Sequence, residues 1–376
     1  MRIGLERAGW RIAFANDIDE DKWRMYEHHF GNTGEFVVRD VHNLKPDEVP
    51  RVALATASFP CNDLSLAGAR KGLAGTQSSA FWGFVDVLKA MGLEQRPPMV
   101  LLENVTGFLT SNNGDDFKDA LLALNTLGYD VDAFIVDAAR FVPQSRQRLF
   151  VVGCKSQNVL PLEDTPGFYE SECRPAALAD FILWNPDINW KIRKLPPLPT
   201  CSKRLCDIVE DLSPNSQMWW NRERCDYLLN QMSPKHRAEA ESMIRGAAIR
   251  YATVFRRVRN GRSMAELRID GIAGCLRTPR GGSGRQILVV GGRGKFTVRL
   301  LTPRECARLM GADNFKVNVS LNQALFGFGD AVCVPVVEWI ANNYLNPVWQ
   351  ELFEPVRPAH FKESPVKYGK KARTAA

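Results

Sequence analysis

Four side chains able to do chemistry, Asp17, Asp40, Cys61 and Glu103, stand just after four short apolar runs. Cys61 lies in Ser58-Phe-Pro-Cys-Asn-Asp63, where a proline ends a strand-like run and a polar loop follows. Most free cysteines are buried and inert, but a thiolate at the mouth of a cleft can attack an electrophilic carbon. Glu103 closes the run Met99-Val-Leu-Leu102 and precedes Asn104-Val105. Alone it reads as a helix-capping acid; beside a nucleophilic thiol it is suited to hand a proton to a ring nitrogen. Farther on, Gln144-Ser-Arg-Gln-Arg148 places Arg146 and Arg148 on one face of an extended stretch. They read either as surface ion-pair partners or as a clamp on a phosphate or a carbonyl oxygen.

Such a set works only if strand ends converge on it. The first 155 residues alternate short β-type runs with helical patterns, which predicts a doubly wound α/β domain. The expected strands are Ile12–Asn16, Phe36–Arg39, Val52–Ser58, Met99–Leu102, Val131–Val136 and Leu149–Gly153. The expected helices are Glu20–Phe30, Ala80–Gly92 and Asp115–Gly128. Ligands of open α/β sheets gather beyond the carboxyl ends of the strands, where the four reactive groups fall. Beyond residue 154 the pattern loosens, and Leu195-Pro-Pro-Leu-Pro199 reads as an extended linker. From 201 to 298 one helix is expected near Lys235–Arg245, followed by irregular Arg- and Gly-rich chain suited to follow a ligand's contour. Thr302-Pro-Arg-Glu305 carries a capping box with proline at the first helical position. Ala331–Tyr344 predicts an amphipathic helix returning to the first domain.

A length of 376 residues suits two domains, and 45% hydrophobic with 24% charged residues excludes a largely disordered chain. Scattered Gly and Pro exclude collagen-like and coiled-coil architectures. No apolar stretch is read as approaching the roughly 20 residues of a membrane span, and the charged start MRIGLERAGWRIAF lacks a signal-peptide core. A cytoplasmic protein without membrane contact is therefore expected. Nine cysteines, an odd number, fit a reduced compartment better than a disulfide framework. Cys201, Cys206, Cys225 and the adjacent His28 and His29 lack zinc-site spacing, so no metal is expected. The net charge of +7 is segregated: residues 245–308 hold fourteen Arg and one Lys against three acids, a net +12, and the tail from Pro355 adds +5. An Arg-dominated window predicts a polyanion partner, because guanidinium forks match phosphates and guanine edges. The Lys-rich tail reads as a solvated face.

In this order the motifs resemble those of the DNA (cytosine-5) methyltransferases, over most of the chain. Phe59-Pro-Cys-Asn62 resembles the family's nucleophile loop, Leu102-Glu-Asn-Val105 its Glu-Asn-Val motif, and Gln144–Arg148 its Gln-x-Arg-x-Arg motif. Arg299-Leu-Leu-Thr-Pro-Arg-Glu305 and Gly327-Phe-Gly-Asp-Ala-Val332 resemble the motif after target recognition and the closing cofactor motif. The resemblance implies a Rossmann-like, S-adenosylmethionine-dependent methyltransferase sheet over 1–195, completed by 325–350. It also implies a smaller, irregular target recognition domain over 196–324 and leaves a basic flexible tail at 355–376. It implies that Cys61 adds to C6 of a cytosine flipped out of duplex DNA. Glu103 would hold the N3 and amino edge, and Arg148, with Arg146 nearby, would steady the nucleophile and the O2 side. S-adenosylmethionine would supply the methyl group for C5, with no metal. Asp17 would bind the cofactor ribose, Ile18 would lie beside the adenine and Asp40 would accept from its amino group, with Val41, Pro60, Asp330 and Val332 completing the site. The DNA contacts expected are Arg277, Thr278, Arg280, Arg285, Gln286 and Arg293. The implied biology is a monomeric restriction-modification or orphan modification methylase in a prokaryotic or phage-type, nucleoid-associated setting, with a restriction endonuclease as a possible associate.

The sequence departs from the pattern in places. Asn62 stands for a usual Gln, Asp17 for a usual Glu and Asp330 for a usual Asn. The strand and Phe-x-Gly-x-Gly loop that open the family are not found, since Met1-Arg-Ile-Gly-Leu-Glu6 resembles the helix after them. This predicts a gap in the sheet, with the chain cut short within its first cofactor motif. Two alternatives follow: an inactive DNA-binding remnant, and a cytosine-5 methyltransferase of transfer RNA, whose small domain is shorter.

Overall fold

The computed structural model describes residues 1–60, 79–155, 167–259, 261–278 and 285–353. Cys61, Asn62, Arg280 and the basic tail lie outside the described residues. The chain opens with α1 (Arg2–Arg7), β1 (Ala15–Asp17), α2 (Glu20–Phe30) and β2 (Phe36–Val38). Asp19 starts α2 because its carboxylate accepts the backbone N–H groups of Asp21 and Lys22, and Gly31, at φ 85°, ends it. The catalytic half continues through β3 (Leu54–Ala57), α3 (Ala80–Ala90), α4 (Gly92–Gln95), β4 (Met99–Val105), α5 (Asp115–Thr126), β5 (Tyr129–Asp137) and β6 (Gln147–Lys155). Then come α6 (Ala176–Trp184), α7 (Leu205–Ile208), α8 (Arg222–Asn230), α9 (Pro234–Arg245), β7 (Arg250–Arg259), β8 (Arg262–Arg268), β9 (Ile287–Gly292) and β10 (Lys295–Leu300). The last helices are α10 (Pro303–Leu309), α11 (Leu321–Asp330), α12 (Val334–Ile340) and α13 (Asn346–Phe353).

The α/β class expected from the sequence is the class observed. The main sheet has the order β3-β4-β6-β5, with β3 and β4 parallel and β6 antiparallel to both neighbours. β4 is a continuous apolar run because it is covered on both faces. One face packs Met99, Leu101, Phe134 and Phe150 against α12 and the π-helical turn that follows it, and the other packs Val100, Leu102 and Tyr129 against α3 and α5. β1 and β2 form a separate parallel pair, and among the described residues neither bonds to the main sheet. β3 stays half-buried along its whole length, unlike β4. α1 lies so close to α12 that a Cβ on Gly4 would stand 2.6 Å from Val337 Cβ.

Three expectations need correction. The chain from 201 to 298 is not irregular throughout after its helix: Arg250–Arg259, Arg262–Arg268, Ile287–Gly292 and Lys295–Leu300 form an antiparallel sheet of order β10-β9-β7-β8. The Arg-rich composition hid it, since Ala252, Thr253 and Val254 in the middle of β7 are buried while the arginines ring its ends. The core of the second unit spans Cys225 to Val298, whereas Leu198, Leu205, Ile208 and Leu288 join the main core, so the two cores do not part at residue 196. The helical run Leu321–Phe353 does have the length and apolar composition of a membrane span. Val336, Val337, Ile340, Tyr344 and Leu345 of this run instead lie in the main core.

Candidate active site

The register of β4 against β6 sets Val105 opposite Arg148 and Glu103 opposite Phe150. Arg148 and Glu103 are therefore diagonal neighbours, and Arg148 Nε lies 3.0 Å from Glu103 Oε1. Their side chains are only 15% and 7% exposed, which strengthens the attraction relative to a surface pair. The guanidinium also donates to the Gln147 carbonyl at 2.8 Å. Next to Glu103, the Asn104 side chain donates to the carbonyl of Phe59 at 3.2 Å. Phe59 is itself wedged between Phe81 and Phe108, with ring centroids 5.3 and 5.6 Å away. The last described residues before Cys61 are thus tied directly to the Glu103 strand. Pro60 is exposed. Glu103 lies within β4 as one half of an ion pair.

Arg146 and Arg148 do different work, which corrects their assignment to a single clamp. Arg146 is 3% exposed. Its guanidinium donates to the carbonyls of Leu276 (2.8 Å), Gly329 (3.0 Å) and Ala331 (2.8 Å) and to Cys275 Sγ (3.3 Å). Burial, with Arg148 close by, lowers its pKa. Arg146 is a tether between the main sheet, the 275–276 segment and the closing motif. Burial would raise the Cys275 thiol, but Arg146, Arg148 and Arg277 outweigh it and lower its pKa.

Of the residues expected at the cofactor, Asp17, Ile18, Asp40 and Val41 lie at the ends of β1 and β2, while Pro60 follows β3. Asp17 Oδ1 accepts from the Asp19 N–H at 3.0 Å. Ile18 is 67% exposed, an apolar surface left open beside the acid. Asp40 caps the short turn that holds Val41 by accepting from the His42 N–H at 3.0 Å. Val332 is buried in the main core, and Asp330 ends α11. Sequence reasoning missed Lys22, whose Nζ lies 3.3 Å from Asp17 Oδ2 and 3.1 Å from Asp330 Oδ2. A lysine on a polar helix face carries no signal of this kind in sequence. Burial alone would lower the pKa of this ammonium, but the two carboxylates outweigh it and raise it. Carboxylate acceptors at the ends of β1 and β2, with the exposed Ile18 next to Asp17, have the chemistry to hold the nucleoside end of S-adenosylmethionine.

The residues expected to read DNA separate. Arg277 and Thr278 run against the closing motif: a Cβ on Gly329 would stand 2.6 Å from Thr278 N. Arg285 donates to Asn322 Oδ1 at 2.7 Å. Gln286 is corrected to an internal residue, 4% exposed, donating to the Cys275 carbonyl at 3.3 Å. Arg293 sits in the β9–β10 turn at φ 55°, where it bonds the Gly246 and Ala247 carbonyls. That is the far end of β9, about 20 Å of strand from Gln286, so it does not belong to one cluster with Arg285. Two groupings went unforeseen. Phe255 lies between the guanidiniums of Arg257 and Arg277, at 5.0 and 5.2 Å. Burial, with the charges of Arg256 and Arg285, lowers the pKa of Arg224, whose guanidinium lies 3.8 Å from the centroid of the Trp220 ring.

With this geometry in place, comparison with known proteins gives the class. The chain belongs to the C-5 cytosine-specific DNA methylase family, whose model matches residues 1–346. It is a DNA (cytosine-5) methyltransferase. Among its relatives, it is 27% identical to the type II methyltransferase M.HaeII of Haemophilus aegyptius over 92% of this chain and 89% of that one. It is 28% identical to the type II methyltransferase M.DsaV of Dactylococcopsis salina over 92% and 83%. The fold is shared with the crystal structure of the S. pombe Dnmt2 methyltransferase at a TM-score of 0.60 and 18% identity, covering 93% and 95% of the two chains. Because the family match extends to the first residue, it gives no support to a chain cut short within its first cofactor motif.

Proposed function

We propose that the chain methylates C5 of a flipped-out cytosine within a specific duplex DNA sequence, as the modification enzyme of a restriction-modification system or an orphan counterpart, with Cys61 as nucleophile. The observation that carries this reading is the Glu103–Arg148 pair, 3.0 Å apart and shielded, beside an asparagine that fixes the entry to the Cys61 segment. Addition of the Cys61 sulfur to C6 forms the S–C6 bond and pushes electrons from the C5=C6 bond toward C5 and N3. Glu103 holds the N3 and amino edge and manages the N3 proton. Arg148 keeps the carboxylate in place and supplies positive charge for the electron density gathering on the ring. S-adenosylmethionine, when bound, supplies the methyl group for C5. Passage of the C5 proton to water, with return of the N3 proton to Glu103, then restores the C5=C6 bond and breaks the S–C6 bond, returning the thiolate. Asp17 and Asp40 hold the nucleoside part of the cofactor, with Ile18 against its base.

The Arg-rich unit built on β7–β10, whose own core runs from Cys225 to Val298, reads the DNA, its arginines suited to phosphates and guanine edges. We place the enzyme, acting as a monomer, at the nucleoid of a prokaryotic or phage-type host, and a companion endonuclease is consistent with its type II relatives. The test is covalent trapping with duplexes carrying 5-fluorocytosine at the methylated position, in the presence of S-adenosylmethionine. Fluorine cannot leave as a proton does, so a stable adduct on Cys61 is expected, and none with Cys61→Ser. An adduct on a different cysteine overturns the assignment.

A further inference from the structure

Lys22 is held between two acids of the nucleoside edge, Asp17 and Asp330, and its geometry leaves bonding capacity unused. An ammonium has three N–H donors. Two are directed to Asp17 Oδ2 and Asp330 Oδ2, at 3.3 and 3.1 Å, which leaves one. Asp17 is likewise incompletely used. Its Oδ1 accepts from Asp19 N and its Oδ2 faces Lys22, while an ionised carboxylate offers about four acceptor sites. All three side chains remain partly open to solvent, at 31%, 31% and 45%. The cluster therefore presents acceptors and a donor side by side, the complement of a vicinal diol, whose hydroxyls both donate and accept.

Its anchoring is equally specific. Asp19 caps α2 and sets the direction in which the helix leaves β1, bringing the first turn back over the strand end. Gln323 of α11 donates to Asp21 at 2.9 Å, fixing the same turn to the closing helix. Lys22 is thus held from both sides and is not a loose surface lysine.

We infer that Lys22 is a cofactor-binding residue that donates to a ribose hydroxyl oxygen while Asp17 accepts from the diol, with Asp330 holding the ammonium in place. This rests on the reading of Asp17 as the ribose acid. It assigns Lys22 a direct contact and Asp330 a positioning role rather than contact with the cofactor.

The experiment is calorimetric titration of the full chain with S-adenosylhomocysteine and with its 2′-deoxy and 3′-deoxy analogues, for wild type, Lys22→Met, Lys22→Arg, Asp330→Asn and Asp17→Asn. A charge-assisted hydrogen bond predicts that Lys22→Met weakens the parent ligand by about tenfold or more. It predicts less than about twofold weakening of whichever deoxy analogue lacks the hydroxyl contacted, with Lys22→Arg recovering part of the loss. Such non-additivity is what a direct contact produces and a loosened helix does not. Equal weakening of all three ligands by Lys22→Met, or none, overturns the inference, as does an Asp330→Asn loss equal to that of Lys22→Met. If Asp17→Asn binds all three ligands like wild type, the ribose reading itself fails. If Asp17→Asn loses binding and Lys22→Met does not, only the assignment of Lys22 fails.

Discussion

Replacing Arg146 by Met separates a structural tether from a catalytic group. The guanidinium meets three backbone carbonyls at 2.8, 3.0 and 2.8 Å from a site only 3% exposed. Hydrogen bonds to charged groups contribute about 1.5–3 kcal/mol each, so three set a ceiling of roughly 4–9 kcal/mol. Relaxation of the 275–276 and 329–331 segments and entry of water recover part of this, and losses of about 3–5 kcal/mol are typical when a buried charged network is broken. Against a total stability of about 5–15 kcal/mol, Arg146→Met should be severely destabilised. Arg146→Lys should fall between it and wild type, because an ammonium cannot reproduce the fork. Equilibrium urea unfolding checks this, provided the m-value stays constant across the three proteins. A variant that unfolds within about 1 kcal/mol of wild type yet has lost methyl transfer would refute the tether and return Arg146 to the substrate.

Two other outcomes follow. Gly329→Ala introduces a Cβ 2.6 Å from Thr278 N and 2.7 Å from Arg277 C, and overpacking of this kind costs about 1–3 kcal/mol. It should also displace the Arg277 segment, so duplex binding measured by fluorescence anisotropy should weaken; unchanged binding and stability would show that the backbone yields freely. Glu35 bonds Tyr26 and Arg2. Burial opposes its ionisation, but hydrogen bonds from Thr33, its own backbone and Tyr26, with the charge of Arg2, hold its pKa down to about 2 from an ordinary 4.5. Its contribution is therefore complete above pH 4.5 and lost as pH falls from there toward 2. The difference in urea midpoint between wild type and Glu35→Gln should shrink over that interval, and a constant difference would contradict the assignment.

Much of the catalytic half was legible because its periodicities are simple. α2 begins and ends at the predicted Glu20 and Phe30, and Thr302 and Glu305 form the capping box their spacing announced. Glu103 was found because it ends an apolar run, and the run is apolar because β4 is covered on both faces. What stayed hidden is set by tertiary partners. Nothing local distinguishes Arg146 from Arg148, since the carbonyls that claim Arg146 lie more than a hundred residues away. Gln286 looked like a base-reading amide in an Arg-rich loop and is interior. The sheet from β7 to β10 escaped notice because long charged side chains at the strand ends obscure a buried centre of three residues. Lys22 was silent because its partners come from β1 and α11, at opposite ends of the chain.

The separation of the β1–β2 pair from the main sheet has an energetic consequence. Two short strands with a half-buried surface are marginal by themselves. They are joined to the molecule through Arg2 of α1, which bonds Tyr26 and Glu35, through the contacts of α2 with α11, through Met25 in the main core, and through Val41 and His42 against α3. Because these strands are three residues long and only half-buried, their amide protons should exchange before those of the β4–β6 core. If Asp17 holds the nucleoside as proposed, a bound cofactor would close the β1–β2 unit, and binding energy and local folding energy would become one quantity.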